Sequence, residues 1–314
     1  PAVAPVAPAA AAPAAPAAAA AVQERPRATP PVRKLARERG IDLAAVTGTG
    51  ERGLVTRADL DAYDAQATTV AGLTTSAARG ETDELRIPIR GVRKATADAM
   101  VRSAFGAPQA TVFLTIDVTA TNELIERLRA RPEFAEARPG LLAVVAKALC
   151  LAARRTPEVN SRWDDAAQEI VQTRAIHLGI AAATPRGLLV PVVHDADGLS
   201  LAGLSGAIRE LAVTARSGKT PPSALTGGTI TITNVGVFGV DAGTPILTPG
   251  EAAILAVGAV RRQPWEHQGG IALRDVLTLA LTFDHRIVDG EQGSRFLADV
   301  GGILADPASV LSIV

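Results

Sequence analysis

The sequence predicts an α/β sandwich, in which helices cover a mixed β-sheet, together with a small helical domain in front of it. Strand-like and helix-like segments alternate from residue 85 to the C-terminus, and they include hairpin pairs and long apolar strands. Apolar residues make up 47% of the 314 residues, which is enough for a large core. Aromatic residues make up only 3%, so aliphatic side chains must fill that core.

Two low-complexity segments divide the chain. Residues 1–29 are an Ala/Pro run, which forms an extended spacer and cannot build a core. Its prolines would break a membrane helix, and it lacks a basic start, so it predicts neither a membrane span nor a signal peptide. Residues 65–84 are small and polar without a period, which predicts a flexible linker. Because a spacer tethers something, we expect a fragment of a longer polypeptide with a further domain upstream.

Residues 30–64 are predicted to form a miniature helical domain. Pro31 can open a helix that Gly40 ends, and Thr56 with Asp59 makes a capping-box-like start for a second short helix. The basic residues of the first helix are either a solvated face or a docking surface for an acidic partner. The residues by themselves leave both interpretations open.

The large domain, residues 85–314, is predicted element by element. Apolar residues with helical spacing predict helices at 91–105, 121–131, 140–155, 200–218 and 291–307. The helix at 140–155 is apolar on nearly all sides, so it should be buried. Alternating or continuous apolar residues predict strands at 110–120, on both sides of a turn at 184–187, and at 227–240, 251–260 and 275–283.

The overall charge and the single cysteine bound the class of protein. Basic and acidic residues number 32 each, and a net charge of zero argues against bulk nucleic-acid binding without excluding a local basic patch. Cys150 is the one cysteine, so no intrachain disulfide can form, which fits a reducing cytoplasm. Its apolar surroundings predict an unreactive core residue.

The stretch "LTLALTFDHRIVDG" places His285 directly after a long apolar strand and four residues before Asp289. A neutral imidazole at a strand end can take a proton from a thiol or hydroxyl, and Asp289 could orient the loop. The alternative is a plain turn at Asp289-Gly290 beside a partly buried histidine. The spacing alone favours this alternative.

A second candidate is the end of the strand "TITITN". Thr233 and Asn234 come last in this strand and are followed by Gly236. A hydroxyl at a strand end can donate a hydrogen bond to an oxyanion. Taken alone, however, the pattern is more typical of a strand threonine and of an asparagine that begins a turn.

Other classes of site find little support. None of the four histidines forms a pair with metal-ligand spacing, and there is no cysteine cluster, so a zinc site is not expected. The sequence has no Walker-type phosphate loop and no GxSxG nucleophile motif.

Taken together, the motifs resemble the acyltransferase core component of the 2-oxo acid dehydrogenase multienzyme complexes over nearly the whole chain. The segment "VRKLARERGIDLAAVTGTGERGLVTRADLDAY" is similar to the peripheral-subunit-binding domain. The segments "IPIRGVRKATADAM", "GLLVPVV", "GGTITITNVG", "ILTPGEAAILAVG" and "FDHRIVDG" are similar to successive landmarks of the catalytic domain. The resemblance implies a chloramphenicol-acetyltransferase-like sandwich. It also implies a linker, an all-α binding domain, a second linker and a catalytic domain at 1–29, 30–64, 65–84 and 85–314.

The resemblance implies a role for each matching residue. His285 would be the general base that deprotonates the thiol of coenzyme A or dihydrolipoamide, and Thr233 would donate its hydroxyl to the tetrahedral oxyanion. Asp289 would hold the active-site loop through an arginine, for which Arg93 is the candidate. The remaining matching residues, Asn234 and Gly236, would lie beside the bound thiol substrates.

The resemblance also implies cofactors and partners. A lipoyl group would be attached to an upstream domain, coenzyme A would be a substrate, and no metal would be needed. In this family each active site lies between neighbouring subunits of a homotrimer, and trimers build a core of 24 or more subunits. Dihydrolipoamide dehydrogenase and the 2-oxo acid decarboxylase would dock on residues 30–64 through Arg33, Arg37 and Arg52. Neither a nucleic acid nor a membrane is expected as a partner.

Two departures from the family pattern stand out. Glu51 and Leu54 lie where related binding domains often carry basic residues, although Arg52 can substitute. Thr233 replaces the serine of many relatives but keeps the hydroxyl.

The segments around residues 110–129 and 244–265 look most like branched-chain 2-oxo acid members from high-GC bacteria. Pyruvate and 2-oxoglutarate types share the same catalytic residues.

A non-catalytic scaffold that only recruits the dehydrogenase is disfavoured by His285, which such relatives usually lack. A free-standing antibiotic acetyltransferase of the same fold would need neither the miniature domain nor the linkers.

Overall fold

The computed structural model describes residues 27–64, 84–184 and 187–312. These residues divide into two compact units, one ending at Ile87 and one beginning at Pro88. The linkers predicted at 1–29 and 65–84 lie almost entirely outside the described residues, and so does the centre of the turn predicted at 184–187.

The described part of the N-terminal unit contains two short α-helices, α1 (Pro30–Arg39) and α2, which covers 57–64. Gly40 ends α1 in the left-handed conformation with φ of 69°, as the sequence predicts. The small core that the helices share consists of Val32, Ala36, Val46, Val55 and Leu60.

Asp59 is the polar centre of the N-terminal unit and is only 8% exposed. Its carboxylate accepts hydrogen bonds from the hydroxyl and backbone N–H of Thr49, at 2.6 and 3.1 Å, and from the backbone N–H of Thr56 at 2.8 Å. These hydrogen bonds, with that from the Thr49 hydroxyl contributing most, hold the pKa of Asp59 well below its usual range. The predicted cap of α2 by Thr56 and Asp59 is confirmed, and Asp59 also binds the loop before it.

The described residues of the C-terminal unit form five helices, α3 to α7, and ten strands, β1 to β10. The helices are α3 (Gly91–Gly106), α4 (Thr119–Arg129), α5 (Leu141–Arg155), α6 (Leu201–Arg216) and α7 (Gly290–Ala305). The strands are β1 (Gln109–Asp117), β2 (Ser161–Asp164), β3 (Glu169–Gln172), β4 (Leu178–Thr184), β5 (Gly187–Leu189), β6 (Val192–Val193), β7 (Ile230–Asn234), β8 (Ala253–Val257), β9 (Arg261–His267) and β10 (Gly270–Asp284).

Eight of the strands form one mixed sheet with the order β1-β10-β8-β7-β4-β5. The additional strands β6 and β9 pair with β4 and β10. Strand β10 is antiparallel to β1 and β8, whereas β8, β7 and β4 run parallel to one another. Strands β2 and β3 form a separate antiparallel hairpin. The predicted mixed sheet covered by helices is confirmed.

The two faces of the sheet differ in chemistry. One face packs its aliphatic residues against α5, α6 and α7, and α5 is buried along most of its length, as its apolar sequence predicts. The other face carries threonines, whose hydroxyls pair across β1 and β10 at 2.8 Å (Thr111 with Thr282) and 2.9 Å (Thr115 with Thr278).

Cys150 is 1% exposed on α5, and its burial raises the pKa of the thiol to about 12. It is therefore the inert core residue expected.

Three features of the sheet depart from the sequence predictions. The hairpin of β2 and β3 and the strand β9 were not predicted, because their side chains are largely polar and lack an apolar period. The strand predicted at 227–240 ends at Asn234, since the chain turns through a 3₁₀ segment, Gly236–Phe238.

Along the described ranges, no helix has the length and apolarity to cross a membrane.

Candidate active site

His285 directly follows the last residue of β10. Its backbone N–H donates to the carbonyl oxygen of Pro108 at 2.9 Å, which continues the pairing of β1 with β10. Its ring lies beside that of Phe283, with 5.7 Å between the centroids. Phe283 is buried at 1% exposure, whereas His285 is exposed in the single chain. The strand therefore fixes the backbone of His285 and leaves its imidazole open to a substrate or to another subunit.

Asp289 caps the helix that follows His285. Its carboxylate accepts from the backbone N–H of Gln292 at 2.8 Å, and the Gln292 amide oxygen accepts from the N–H of Asp289 at 3.0 Å. This reciprocal pair is a capping box that fixes the start of α7. No hydrogen bond or ion pair between Arg93 and Asp289 is found among the described residues. An arginine that supports Asp289 therefore stays a prediction.

Two charged residues flank His285 and bind each other. Arg286 donates from Nε and Nη2 to the carboxylate of Asp284, at distances between 2.6 and 3.2 Å. The guanidinium carbon also lies 4.7 Å from the ring centroid of Trp163 on β2. Sequence reasoning did not single out Arg286 or Trp163. The opposite charges on either side of His285 were the one available signal, because the position of Trp163 depends on the unpredicted hairpin.

Thr233 and Asn234 lie at the C-terminal end of β7, between β4 and β8. Both side chains are half-buried. A Cβ at Gly236 would lie 2.2 Å from the carbonyl oxygen of Gly258, so the close approach of two backbones requires glycine there. The sequence-predicted roles of Asn234 and Gly236 beside the thiol substrates stay predictions.

The strand register separates Thr233 from His285 within one chain. Thr233 aligns with Ala256 on β8, and Ala256 aligns with Ala280 on β10. His285 lies five residues beyond Ala280, on a strand that runs in the opposite direction to β7. At the usual rise per residue these five steps span about 17 Å, and crossing two strand spacings adds about 10 Å sideways. The two side chains therefore cannot meet on one substrate within a single chain.

Glu251 is a buried carboxylate on the threonine face, 6% exposed, that the sequence analysis did not single out. Its side chain is hydrogen-bonded to the hydroxyls of Thr231 and Thr248, which lie 3.1 Å from each other. Its Oε2 has no hydrogen-bond partner among the described residues. Burial dominates over these hydrogen bonds and raises the pKa of Glu251 to about 7.

Several basic residues lie on the surface of the N-terminal unit. Arg39 binds Asp61 at 2.6 Å and Asp64 at 3.4 Å, so its charge is neutralised locally. The predicted docking residues Arg33, Arg37 and Arg52 are exposed. Within the described part of the chain, no cluster of three or more His, Cys, Asp or Glu side chains could hold a metal ion.

Comparison with protein families assigns most of the chain. The family described as 2-oxoacid dehydrogenases acyltransferase (catalytic domain) matches residues 81–312. The family described as e3 binding domain matches residues 26–61.

Curated relatives include two types of acyltransferase. A Pseudomonas aeruginosa lipoamide acyltransferase component of a branched-chain alpha-keto acid dehydrogenase complex is 36% identical over 91% of this chain and 68% of its own length. A Bacillus subtilis dihydrolipoyllysine-residue acetyltransferase component of a pyruvate dehydrogenase complex is 37% identical over 90% of this chain and 67% of its own length.

Solved structures share the fold. The Azotobacter vinelandii dihydrolipoamide acetyltransferase, studied for the role of a serine, a histidine and an asparagine in its catalytic mechanism, matches with a TM-score of 0.70 and 33% identity. It covers 75% of this chain and 96% of its own. The cubic core of a pyruvate dehydrogenase multienzyme complex matches with the same TM-score, 32% identity and the same coverage. The chain therefore belongs to the dihydrolipoamide acyltransferases, the core components of 2-oxoacid dehydrogenase complexes.

Proposed function

We propose that His285 of one subunit and Thr233 of its neighbour form each active site, in which an acyl group moves between a dihydrolipoyl thiol and coenzyme A. The strand register carries this proposal, because it keeps these two residues at opposite ends of the sheet within one chain. A closed ring of identical subunits brings the two ends together repeatedly, and a trimer is the smallest such ring in which every interface is head to tail.

Each residue has a defined chemical task in this site. The imidazole of His285 takes the proton from the incoming thiol, and the thiolate attacks the carbonyl carbon of the acyl thioester. The hydroxyl of Thr233 donates to the oxyanion of the tetrahedral intermediate. When the intermediate collapses, the bond to the original sulfur breaks, and that sulfur receives the proton from the imidazolium. Asp289 holds the loop by capping α7.

The solved Azotobacter vinelandii enzyme supports these assignments. The serine, histidine and asparagine studied in its mechanism are separated by the same sequence intervals as Thr233, His285 and Asp289. Threonine retains the hydroxyl of serine, and aspartate retains the side-chain oxygen with which asparagine can cap a helix.

A subunit-mixing experiment tests the shared site. His285→Ala and Thr233→Val chains should each be nearly inactive in the transfer of an acyl group from acyl-CoA to dihydrolipoamide. Loss of the hydroxyl donor alone should lower kcat by about 100- to 1000-fold. Co-refolding equal amounts of the two chains should restore about a quarter of the wild-type activity, because random mixing gives that fraction of sites both intact residues.

The controls separate the possible failures. Thr233→Ser keeps a hydroxyl and should remain active. If mixed assemblies stay as inactive as the two single variants, both residues act within one chain and the shared site is wrong. If His285→Ala alone turns over normally, the acid–base mechanism is wrong.

We favour a branched-chain acyl group, on the resemblance of the segments around residues 110–129 and 244–265 to that type. A panel of acetyl-, succinyl-, isobutyryl- and isovaleryl-CoA with free dihydrolipoamide tests this choice. The branched substrates should show the highest kcat/KM. A preference for acetyl-CoA would instead assign the chain to the pyruvate type, which the relatives also include.

We further propose that residues 30–64 dock dihydrolipoamide dehydrogenase and the 2-oxo acid decarboxylase, as the match to an e3 binding domain supports. The lipoyl group would be carried by a domain upstream of the Ala/Pro linker. The domain boundaries proposed on this basis are those of the sequence analysis, with the catalytic domain at 85–314.

A further inference from the structure

The two residues that flank His285 close a ring around its backbone. The backbone N–H of Arg286 donates to Oδ1 of Asp284 at 3.0 Å. This hydrogen bond from main chain to side chain closes a tight turn with His285 in its middle. The guanidinium of Arg286 folds back onto the same carboxylate with its Nε and Nη2. Asp284 is only 5% exposed at its side chain, so this ion pair is largely shielded from water on one side.

The hairpin of β2 and β3 holds the outer side of this ring. Trp163 on β2 presents its ring face to the guanidinium of Arg286, at 4.7 Å from the centroid, and it also packs against the main core. The Trp163 ring N–H donates to Asp165 at 3.2 Å, which orients the indole. Arg286 therefore lies between a carboxylate, an aromatic face and a second acid. The hydrogen bonds to Asp284, and after them the negative charges of Asp284 and Asp165, raise the pKa of Arg286 further above its usual range.

We propose that Asp284, Arg286 and Trp163 are positioning residues that hold His285 in the orientation needed for acyl transfer. This inference rests on the proposed role of His285 as the base. It gives the β2–β3 hairpin a task in catalysis although it lies outside the main sheet. Because the Asp284–Arg286 ion pair spans His285, releasing Arg286 loosens the backbone that carries the imidazole.

The energetic reason is geometric precision. Further restraints on this segment are the packing of the His285 ring beside Phe283 and three main-chain hydrogen bonds. These run from His285 N–H to Pro108 and from the N–H groups of Ile287 and Val288 to the Asp284 carbonyl, each at 2.9 or 3.0 Å. These bonds fix the path of the turn, and the ion pair of Asp284 with Arg286 ties together the two residues on either side of His285. A misplacement of about 1 Å at a reacting group can cost about 100-fold in rate.

The test compares Trp163→Ala, Trp163→Phe and Arg286→Lys in the assembled protein. The assay is acyl transfer to free dihydrolipoamide with the best acyl-CoA of the panel. Trp163→Ala and Arg286→Lys should lower kcat by about 10- to 100-fold. Both KM values should stay close to those of the wild type. The Tm should stay unchanged in Arg286→Lys, whereas Trp163→Ala should lower it, because Trp163 packs against the main core. Lysine keeps the charge beside Asp284 but loses the two-pronged geometry. Trp163→Phe keeps an aromatic face and should recover most of kcat.

The matched control is Trp265→Ala, which removes the other tryptophan, on β9, and should leave kcat unchanged. If Trp163→Ala does not assemble, the kcat values of Arg286→Lys and Trp163→Phe still test the positioning role. Wild-type kcat in Arg286→Lys, or equal losses in Trp163→Ala and Trp265→Ala, would overturn the positioning role. The proposed function is tested separately, by His285→Ala and by the mixed assemblies, so the two failures are distinguishable.

Discussion

Glu251 shows how burial of one carboxylate couples stability to pH. The side chain bonds two threonine hydroxyls, but its Oε2 lacks a partner among the described residues and the residue is 6% exposed. A Cβ at Gly228 would lie 2.8 Å from Oε1, so the chain leaves room for this carboxylate by placing glycine there. A charge in this place is costly, which is why the pKa rises to about 7.

We expect Glu251→Gln to stabilise the protein above neutral pH. Between the ordinary pKa of 4.5 and about 7, the unfolded chain releases the proton while the folded chain keeps it. Folding stability of the wild type therefore falls as pH rises through this window, by up to about 3 kcal/mol. Glutamine has no proton to release. The Tm of Glu251→Gln minus the Tm of the wild type should therefore increase by several degrees as the pH is raised from 4.5 to 8, as measured by calorimetry. A constant difference across this range would contradict the assignment.

At the residue scale, sequence patterns indicate a site only where its residues lie within a short, recognisable stretch of the chain. The sequence predicts site roles for His285 and Thr233 because each ends a strand beside a recognisable motif. Glu251 and Trp163 were missed because their partners come from distant parts of the chain. The hydroxyl of Thr231 lies 20 positions before Glu251, and Arg286 lies more than 100 positions after Trp163. Such contacts depend on strand order, which no local pattern contains.

At the scale of elements, α7 and β10 position His285 together. Gly293 on α7 packs directly on Phe283, two residues before His285, and a Cβ there would lie 2.7 Å from the Phe283 ring. Phe283 is 1% exposed and surrounded by core residues, so its ring cannot move away freely. The helix that Asp289 caps is thereby held against the end of β10.

Two glycine substitutions on α7 should therefore have opposite effects. Gly293→Ala should destabilise the protein by about 1 to 3 kcal/mol through overpacking against Phe283. It should also lower kcat, since Phe283 lies beside the His285 ring. Gly302→Ala, on the same helix, meets no atom within 4 Å and should stabilise by up to about 1 kcal/mol. Denaturant unfolding and kcat measure both. Equal effects of the two substitutions would show that packing at Gly293 is unimportant.

Element types were predictable where burial imposes a period. The buried helix α5 and the long strand β10 are examples, although β10 begins earlier than predicted because its first residues project with β9 as a hairpin. Strand β9 has no such burial, and pairing with β10 alone makes it a strand. Tertiary pairing decides such segments, and their own residues do not.

At the scale of the whole molecule, the basic surface of the N-terminal unit predicts salt-dependent docking. Arg33→Glu with Arg37→Glu should weaken binding of dihydrolipoamide dehydrogenase at low salt by at least about tenfold, because opposite charges across an interface steer association. Surface plasmon resonance at two salt concentrations measures this. Arg127→Glu with Arg216→Glu makes the same change of charge on the C-terminal unit and should not affect binding. Unchanged binding of the Arg33 and Arg37 variant at low salt would refute the electrostatic account.

The proposed site, shared between Thr233 and His285 of neighbouring subunits, makes assembly a condition of activity. The 3₁₀ segment that follows Thr233 leaves Val237 and Phe238 about 70% exposed in the single chain, as expected of residues that another subunit covers. Phe238→Glu should therefore give single chains that keep their far-ultraviolet circular dichroism but lose acyl transfer. Val213→Glu, at an exposed apolar residue on α6, is the matched control and should remain assembled and active. If Phe238→Glu still assembles, dilution in mild denaturant can supply the single chains. An active single chain would show that one subunit contains a whole site, contrary to the strand register.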